Sequence, residues 1–243
     1  MAFNLQFFGA TERVTGSLYL LTAGNHRIVL ECGLVQGAAD EEARNRDPLP
    51  FDPQDIHAVV VSHSHIDHSG RVPLLVKQGY TGPVYTHEAS KALCEIMLPD
   101  SGYLNEKEAE WENRKRGRKG KGRIAPLYTR EDAEASIGQF RGLEYDSPTE
   151  IAPGVTLTLF DAGHILGSSI VQLEYDGKDG KRTLVFSGDL GYRDAPLMDP
   201  TTRLRHADAV LMESTYGDRD HRPIAATIAE LTGVFESARA AQG

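Results

Sequence analysis

His63-Ser64-His65-Ile66-Asp67-His68 follows the apolar run Ala58-Val59-Val60-Val61 with only Ser62 between them. Four side chains able to bind a metal thus fall within six residues, where a buried strand should emerge at a sheet edge. In an extended segment, positions two apart point the same way. His63, His65 and Asp67 are therefore expected to converge on one side, with a turn at Asp67-His68 swinging His68 round to join them. Imidazole nitrogens and a carboxylate suit zinc and its first-row neighbours, whereas calcium or magnesium would want mostly oxygen. A polar loop with scattered histidines is the bland alternative, and this pattern seldom arises by chance. The stretch reads as a metal site.

Such a site needs ligands from elsewhere, and two further strands end in candidates. Val155-Thr156-Leu157-Thr158-Leu159-Phe160 alternates in polarity and runs into Asp161-Ala162-Gly163-His164. Thr183-Leu184-Val185-Phe186 runs into Ser187-Gly188-Asp189. A glycine before each ligand lets the backbone come close. One metal is expected to take His63, His65 and His164, and a second Asp67 and His68, with Asp189 bridging. Two ions about 3.5–4 Å apart hold a shared hydroxide as nucleophile and clamp both sides of a reacting centre. Taken singly, a core histidine is the alternative for His164 and a turn residue for Asp189, and beside the first motif both read as ligands.

HSHIDH, AGHILGS and FSGDLG resemble the second, third and fourth motifs of the metallo-β-lactamase superfamily. Leu211-Met212-Glu213-Ser214-Thr215-Tyr216-Gly217-Asp218-Arg219 and the opening Phe7-Phe8-Gly9-Ala10-Thr11-Glu12-Arg13-Val14-Thr15-Gly16-Ser17 are similar to its RNA-processing β-CASP branch. The resemblance covers essentially the whole chain. It implies an α/β fold, a metallo-β-lactamase-like αβ/βα four-layer sandwich with the site at one edge of two sheets. It also implies two divalent ions, most often zinc.

Two departures stand out. The family's first motif usually carries an aspartate after its strand, and here Val29-Leu30-Glu31-Cys32-Gly33 supplies Glu31. That acid supports a metal-binding histidine in the family, a role that sets ligand orientation and basicity; a surface acid is the alternative for Glu31. The β-CASP branch also carries a cap domain inserted after the Glu-Ser-Thr-Tyr stretch, with a last metal-binding histidine beyond it. Only His206 and His221 follow Asp189, and neither has a strand-then-glycine setting. His206 is expected on a surface loop, and His221 either there or facing the cleft. The expected organisation is a catalytic domain over residues 1–221, with a basic insertion near 99–130, and the start of a truncated cap over 222–243. On this reading the chain is the N-terminal catalytic part of a longer protein.

Composition is consistent with that reading. A chain of 243 residues suits one sandwich domain and can bury about 70–75% of its unfolded surface. No run approaches the roughly 18 apolar residues that span a membrane. No basic region followed by an apolar stretch opens the chain, so no signal peptide is expected. Cys32 and Cys94 are too few for a disulfide framework and are expected as buried thiols. The expected protein is soluble and cytoplasmic. Strands are expected at 3–7, 17–21 and 27–30 as an opening meander, with a turn at Ala23-Gly24-Asn25. Pro73 should open a helix that stops at Gly79.

One segment breaks the composition. A helix is expected from Asn105, with Asn105 as its cap, Glu108 reaching back and Leu104 stapled against Ala109. It gives way to the run from Arg114 to Arg123, which holds seven basic residues and no acid: Arg114, Lys115, Arg116, Arg118, Lys119, Lys121 and Arg123. Removing those seven charges from the formal −9 leaves −16. A chain so acidic should repel a polyanion unless its cations are concentrated where the polyanion lies, and cations along a phosphate backbone gain by releasing counterions. Arg114, Lys115, Arg116, Arg118 and Lys119 are the candidate RNA contacts; a solvated loop is the other reading. Trp111 is expected to pack the helix on the core, with stacking on a base as the alternative.

The reaction expected is attack on a phosphodiester by the metal-held hydroxide, with Asp67 orienting or deprotonating the nucleophile. In the β-CASP branch the acid matching Glu213 holds a cap histidine that protonates the leaving sugar oxygen. Glu213 otherwise caps the turn after its strand. An RNA-processing nuclease, endonucleolytic or 5′-exonucleolytic, leads over a small-molecule hydrolase (lactonase, thioester hydrolase or β-lactamase type) on the same site. Glu213-Ser214-Thr215-Tyr216 and the basic run argue against the latter. A non-catalytic RNA-binding subunit is the third class, and the full set of ligands argues against it.

Overall fold

In the computed structural model, residues 3–178, 180–192, 197–220 and 222–241 are described. Among the described residues eleven strands run in chain order: β1 (Phe3–Phe7), β2 (Tyr19–Ala23), β3 (His26–Leu30), β4 (Ala58–Val60), β5 (Val84–His87), β6 (Phe140–Leu143), β7 (Thr149–Ala152), β8 (Val155–Asp161), β9 (Ser169–Gly177), β10 (Gly180–Phe186) and β11 (Ala209–Leu211). The helices are α1 (Ala39–Glu42), α2 (Ile66–Ser69), α3 (Val72–Lys77), α4 (Glu88–Arg118), α5 (Arg130–Ile137) and α6 (Ile224–Ala241). The chain divides into two compact units, Met1–Glu213 and Ser214–Gly243. The second contains α6, where the Arg222 guanidinium pairs with Glu230.

Both sheets belong to the first unit, in the orders β1-β2-β3-β4-β5-β6 and β11-β10-β9-β8-β7. The first opens as the antiparallel meander β1–β3 and continues in parallel through β4, β5 and β6. Its inner strands are covered on both faces, so their sequences read as continuous apolar runs. Alternate residues still divide cleanly. Leu18, Leu20, Val29, Val59 and Val61 join Val72, Leu75, Leu98 and Tyr128 in the layer beneath α3, α4 and α5. Tyr19, Leu21, Ile28, Leu30 and Val60 face the second sheet, meeting Leu157, Leu159, Leu173, Leu184 and Phe186. The far side of that sheet carries Ala162, Ile170 and Val185, packed by Leu190, Leu204 and Ala207. Two mixed sheets face to face, with α3, α4 and α5 over the outer face of the first, have the architecture of the expected α/β sandwich.

The meander, its turn and the strands before His63 and His164 lie where the sequence places them, within two residues, and β10 begins at Gly180, three residues before the expected Thr183. Pro73 stands in the first turn of α3, and Gly79 follows its end. Cys32 and Cys94 are buried free thiols.

Three expectations fail around α4. The helix begins at Glu88, where His87 Nδ1 accepts the Ala89 N–H, and runs 31 residues with Pro99 inside it. Asn105 is therefore interior rather than a cap. Its Nδ2 donates back to the Ser101 carbonyl four residues earlier, the other local bond open to asparagine. Arg114 to Arg118 form the last helical turns rather than a loop, at the end where positive charge suits the helix dipole. Trp111 does not pack on the core: it is 53% exposed, with the Lys115 ammonium over its ring.

Candidate metal centre

The site sits where strands end. Glu31 follows β3, His63 follows β4, His164 follows β8, Asp189 follows β10 and Glu213 follows β11. A bond from Ser169 N–H to the Ser62 carbonyl, 2.9 Å, ties the two sheets at this edge. The extended reading of the first motif holds for His63 and His65 only. His65 is the N-cap of α2, so Asp67 and His68 come from a helical turn instead of a continuing strand.

Gly163 and Gly188 adopt φ +69° and +53°, a region that favours glycine, just before His164 and Asp189. A side chain at Gly188 would meet Ser62 Cβ at 2.8 Å, so the close approach of the two sheets also requires it.

His63 Nε2 lies 3.0 Å from His65 Nδ1, and His164 Nε2 lies 3.3 Å from the same nitrogen. Asp189 Oδ2 stands 3.8 Å from His63 Nε2 and 3.6 Å from His164 Nε2. These four donors all fall within 4.8 Å of one another. The other Asp189 oxygen, Oδ1, is 3.3 Å from His68 Nε2, which has Asp67 Oδ2 at 3.6 Å on another side. One carboxylate thus faces two donor groups. His63, His65 and His164 share one with Oδ2, and on the other side His68 stands between Oδ1 and the Asp67 carboxylate.

Glu31 lies beneath both groups, fully buried at φ +62°. Its Oε1 accepts Ser62 N–H at 2.6 Å, and its Oε2 accepts His68 Nδ1 at 2.6 Å and Ser62 Oγ at 3.1 Å. Ser62 Oγ also lies 2.9 Å from His63 Nδ1. A hydroxyl that gives its proton to Glu31 accepts from His63, so both histidines carry hydrogen on Nδ1. In its neutral form each ring then turns the Nε2 lone pair toward Asp189, the form in which it would bind a metal. Glu31 is no surface acid, and its longer arm reaches the histidine as expected. Glu31, His63 and His68 also approach within 4.8 Å of one another; with its oxygens already accepting three bonds, Glu31 is placed to orient rather than ligate.

Burial pushes the Glu31 carboxyl upward, against the bonds from His68 and Ser62 that favour the carboxylate. Burial likewise lowers His63 well below the usual imidazole range, aided by the charge of His68. His68 is pushed up to about 10: burial opposes its charge, but Asp189 and Glu31 on either side outweigh burial. Burial also acts to raise Asp189, yet His68, His63 and His164 hold it below the usual carboxylate range. Without a cation, the acids are balanced by a proton on His68. A divalent ion would take over that balance. A tight set of imidazole nitrogens and carboxylates, with the His63 and His68 ring backs tied, fits a first-row divalent metal.

Glu213 Oε1 accepts the Leu190 N–H at 2.8 Å, bracing the residue after Asp189. His206 is exposed on a loop, as expected, and His221 lies outside the described residues. The sequence reading missed Ser62 and Ser168. Ser168 Oγ accepts the N–H groups of His164 and Ile165 at 3.0 and 3.1 Å. A hydroxyl four residues past a ligand after a glycine turn was the available signal.

Ribonuclease TTHA0252 from Thermus thermophilus is 40% identical over 229 residues, which are 94% of this chain and 47% of that protein. Transcription termination factor FttA from Methanosarcina mazei is 34% identical, over 86% of this chain and 31% of the factor. Its counterpart from Methanocaldococcus jannaschii is 29% identical, over 89% and 32%. The chain spans less than half the length of these curated relatives, and they bear out the resemblance to the RNA-processing branch. A Cronobacter sakazakii metallo-β-lactamase HARLDQ motif mutant shares the fold at a TM-score of 0.51, with 19% identity over 95% of this chain and 90% of that one. The Metallo-beta-lactamase superfamily profile matches residues 11–227. With the paired sheets, the donors at their edge and this match in agreement, the chain belongs to the metallo-β-lactamase superfamily.

Proposed function

We propose that this chain carries a dinuclear, zinc-dependent phosphodiesterase that cleaves RNA, endonucleolytically or from the 5′ end, in the cytoplasm. The observation that carries the reading is the Asp189 carboxylate, with one oxygen toward His63 and His164 and the other toward His68. His63, His65, His164 and Asp189 would hold one ion, and Asp67, His68 and Asp189 the other. Bound there, the ions supply charge neutralisation at the non-bridging phosphate oxygens and water activated at neutral pH.

The chain's own groups account for the rest. Asp67, with its side chain 20% exposed, is set to orient the attacking water and take its proton on the carboxylate. Glu213 gives one oxygen to Leu190 and keeps the other to position a proton donor for the leaving sugar oxygen. Arg114, Lys115, Arg118 and Lys119 stand exposed on the end of α4 and just past it. Arg116 is partly committed, because its Nε donates to the Gly122 carbonyl. These five would contact the phosphate backbone. A relative named a ribonuclease and others named transcription termination factors support RNA as the polymer.

The test is zinc-restored hydrolysis of a small activated phosphodiester, beside a lactone and beside Asp189→Ala. Phosphodiester turnover should appear with zinc and vanish in Asp189→Ala, a loss of at least a thousandfold. Lactone turnover alone would move the site to small-molecule hydrolysis, and full activity in Asp189→Ala would sink the assigned centre.

A further inference from the structure

A second pocket, of about 170 Å³, lies between the loop after β1 and the segment around residues 44–50, and it contains no metal donor and none of the 114–123 run. Arg13, Arg44 and Arg71 line it. Arg71 is 7% exposed and is fixed through Nε, which donates to the Gly33 carbonyl at 2.6 Å. Arg44 is half-buried, and its Nη1 is buried with no hydrogen-bond partner. Arg13 is exposed at the rim. Among the described residues none of the three forms an ion pair. That is out of keeping with a chain of 35 acids and 26 lysines and arginines.

A buried guanidinium N–H without an acceptor is costly, and cations that share a small space repel one another. An anion between them relieves both. Three arginines less Asp47, the single lining acid, leave a wall of net +2, which matches a dianion. The planar guanidinium fork suits phosphate oxygens in particular. At about 30 Å³ per water, the space holds a phosphate group with some hydration. It falls short of the roughly 300–1,000 Å³ of pockets that enclose larger organic ligands.

We infer that this pocket binds a phosphate dianion, as inorganic phosphate or as a terminal phosphomonoester whose organic part stays outside. The site is independent of the RNA reading, since it uses neither the metal donors nor α4.

Calorimetric titration of inorganic phosphate into the zinc-loaded full chain tests it, with Arg44→Gln, Arg13→Gln and Arg141→Gln beside the parent. The Arg44-dependent component isolates the pocket from phosphate held at the metal centre. Saturable binding at the pocket should weaken at least tenfold in Arg44→Gln and several-fold in Arg13→Gln, and stay unchanged in Arg141→Gln. If Arg44→Gln fails to fold by circular dichroism, Arg13→Gln carries the comparison, because that side chain is exposed. Equal binding in all four proteins, or no saturable binding in the parent, overturns the inference. Adenosine 5′-monophosphate then separates the sources. Competition that depends on Arg44 assigns the pocket to a phosphomonoester, and phosphate binding without such competition assigns it to the free ion.

Discussion

At the residue scale, Glu31 fixes the groups behind two of the candidate metal donors. Both its oxygens act as acceptors, for Ser62 N–H, Ser62 Oγ and His68 Nδ1. Glutamine has the same size but one acceptor oxygen, so one of these donors would face an NH2 group. The choice of ring nitrogen on His68, and on His63 through Ser62, then loses its fixed point. Such partners behind metal-binding histidines are typically worth about 10–100-fold in metal affinity. Glu31→Gln should therefore bind zinc about 10–100-fold more weakly in competition with a chromophoric chelator, while its circular dichroism spectrum stays native. Parental zinc affinity in the folded variant would mean that the rings are held without this acid. The sequence shows the acid and its place after a strand. It does not show the relay, because Ser62 acquires meaning only once Glu31, 31 residues earlier in the chain, is brought beneath it by the pairing of β3 with β4.

At the scale of elements, what the sequence makes legible follows from periodicity. Strands before each ligand stand out because Val155, Leu157 and Leu159 alternate, and because the run at residues 58–61 is buried on both faces. Helix starts are less legible where two signals compete. Asn105 looks like a cap, but a helix already begun at His87 absorbs it through the Ser101 carbonyl. Helix α5 presents the opposite case, a start that is locally encoded. Thr129 Oγ1 accepts Asp132 N–H at 3.1 Å, Asp132 Oδ2 accepts Thr129 N–H at 2.8 Å, and Lys77 of α3 donates to the same oxygen at 2.6 Å. Asp132→Ala should cost about 1 kcal/mol for the lost bond from Thr129 N–H, with little added by the exposed ion pair. That lowers Tm by about 2–4 °C for a chain of this size. Burial acts to raise the Asp132 carboxyl, but Lys77 and Thr129 outweigh it and hold the group below its ordinary 3.8. A depressed folded value means the carboxylate stabilises the fold above 3.8, and that this contribution fades as pH falls through the folded value. Thermal melts should show the full gap between parent and variant near neutral pH and a shrinking gap below about pH 4. A constant gap across that range would place the effect outside the carboxylate's charge.

At the scale of the whole molecule, the proposed RNA substrate raises the question of how a chain of formal charge −9 would hold a polyanion. No helix among the described residues is long and apolar enough to cross a membrane. The last turns of α4 project from the helix with Arg114, Lys115 and Arg118 exposed and Lys119 just beyond. Lys115 also covers the Trp111 ring, which makes a flat, charged platform that a base or a phosphate can meet. Cations used this way leave a signature in salt, because each single-stranded phosphate contact contributes about 0.7 to the slope of log affinity against log salt. A single-stranded RNA bound to Asp189→Ala, the variant expected to lack turnover, gives that slope by filter binding. Replacing Arg114, Lys115, Arg118 and Lys119 together by glutamine should lower its magnitude by up to about 3, the sum for four contacts. The same replacements in the zinc-loaded parent should leave turnover of a small phosphodiester unchanged, since none of the four reaches the metal donors. An unaltered salt slope would reduce the run to a solvated helix end. A lowered slope with intact small-substrate turnover would separate grip on the polymer from chemistry at the centre.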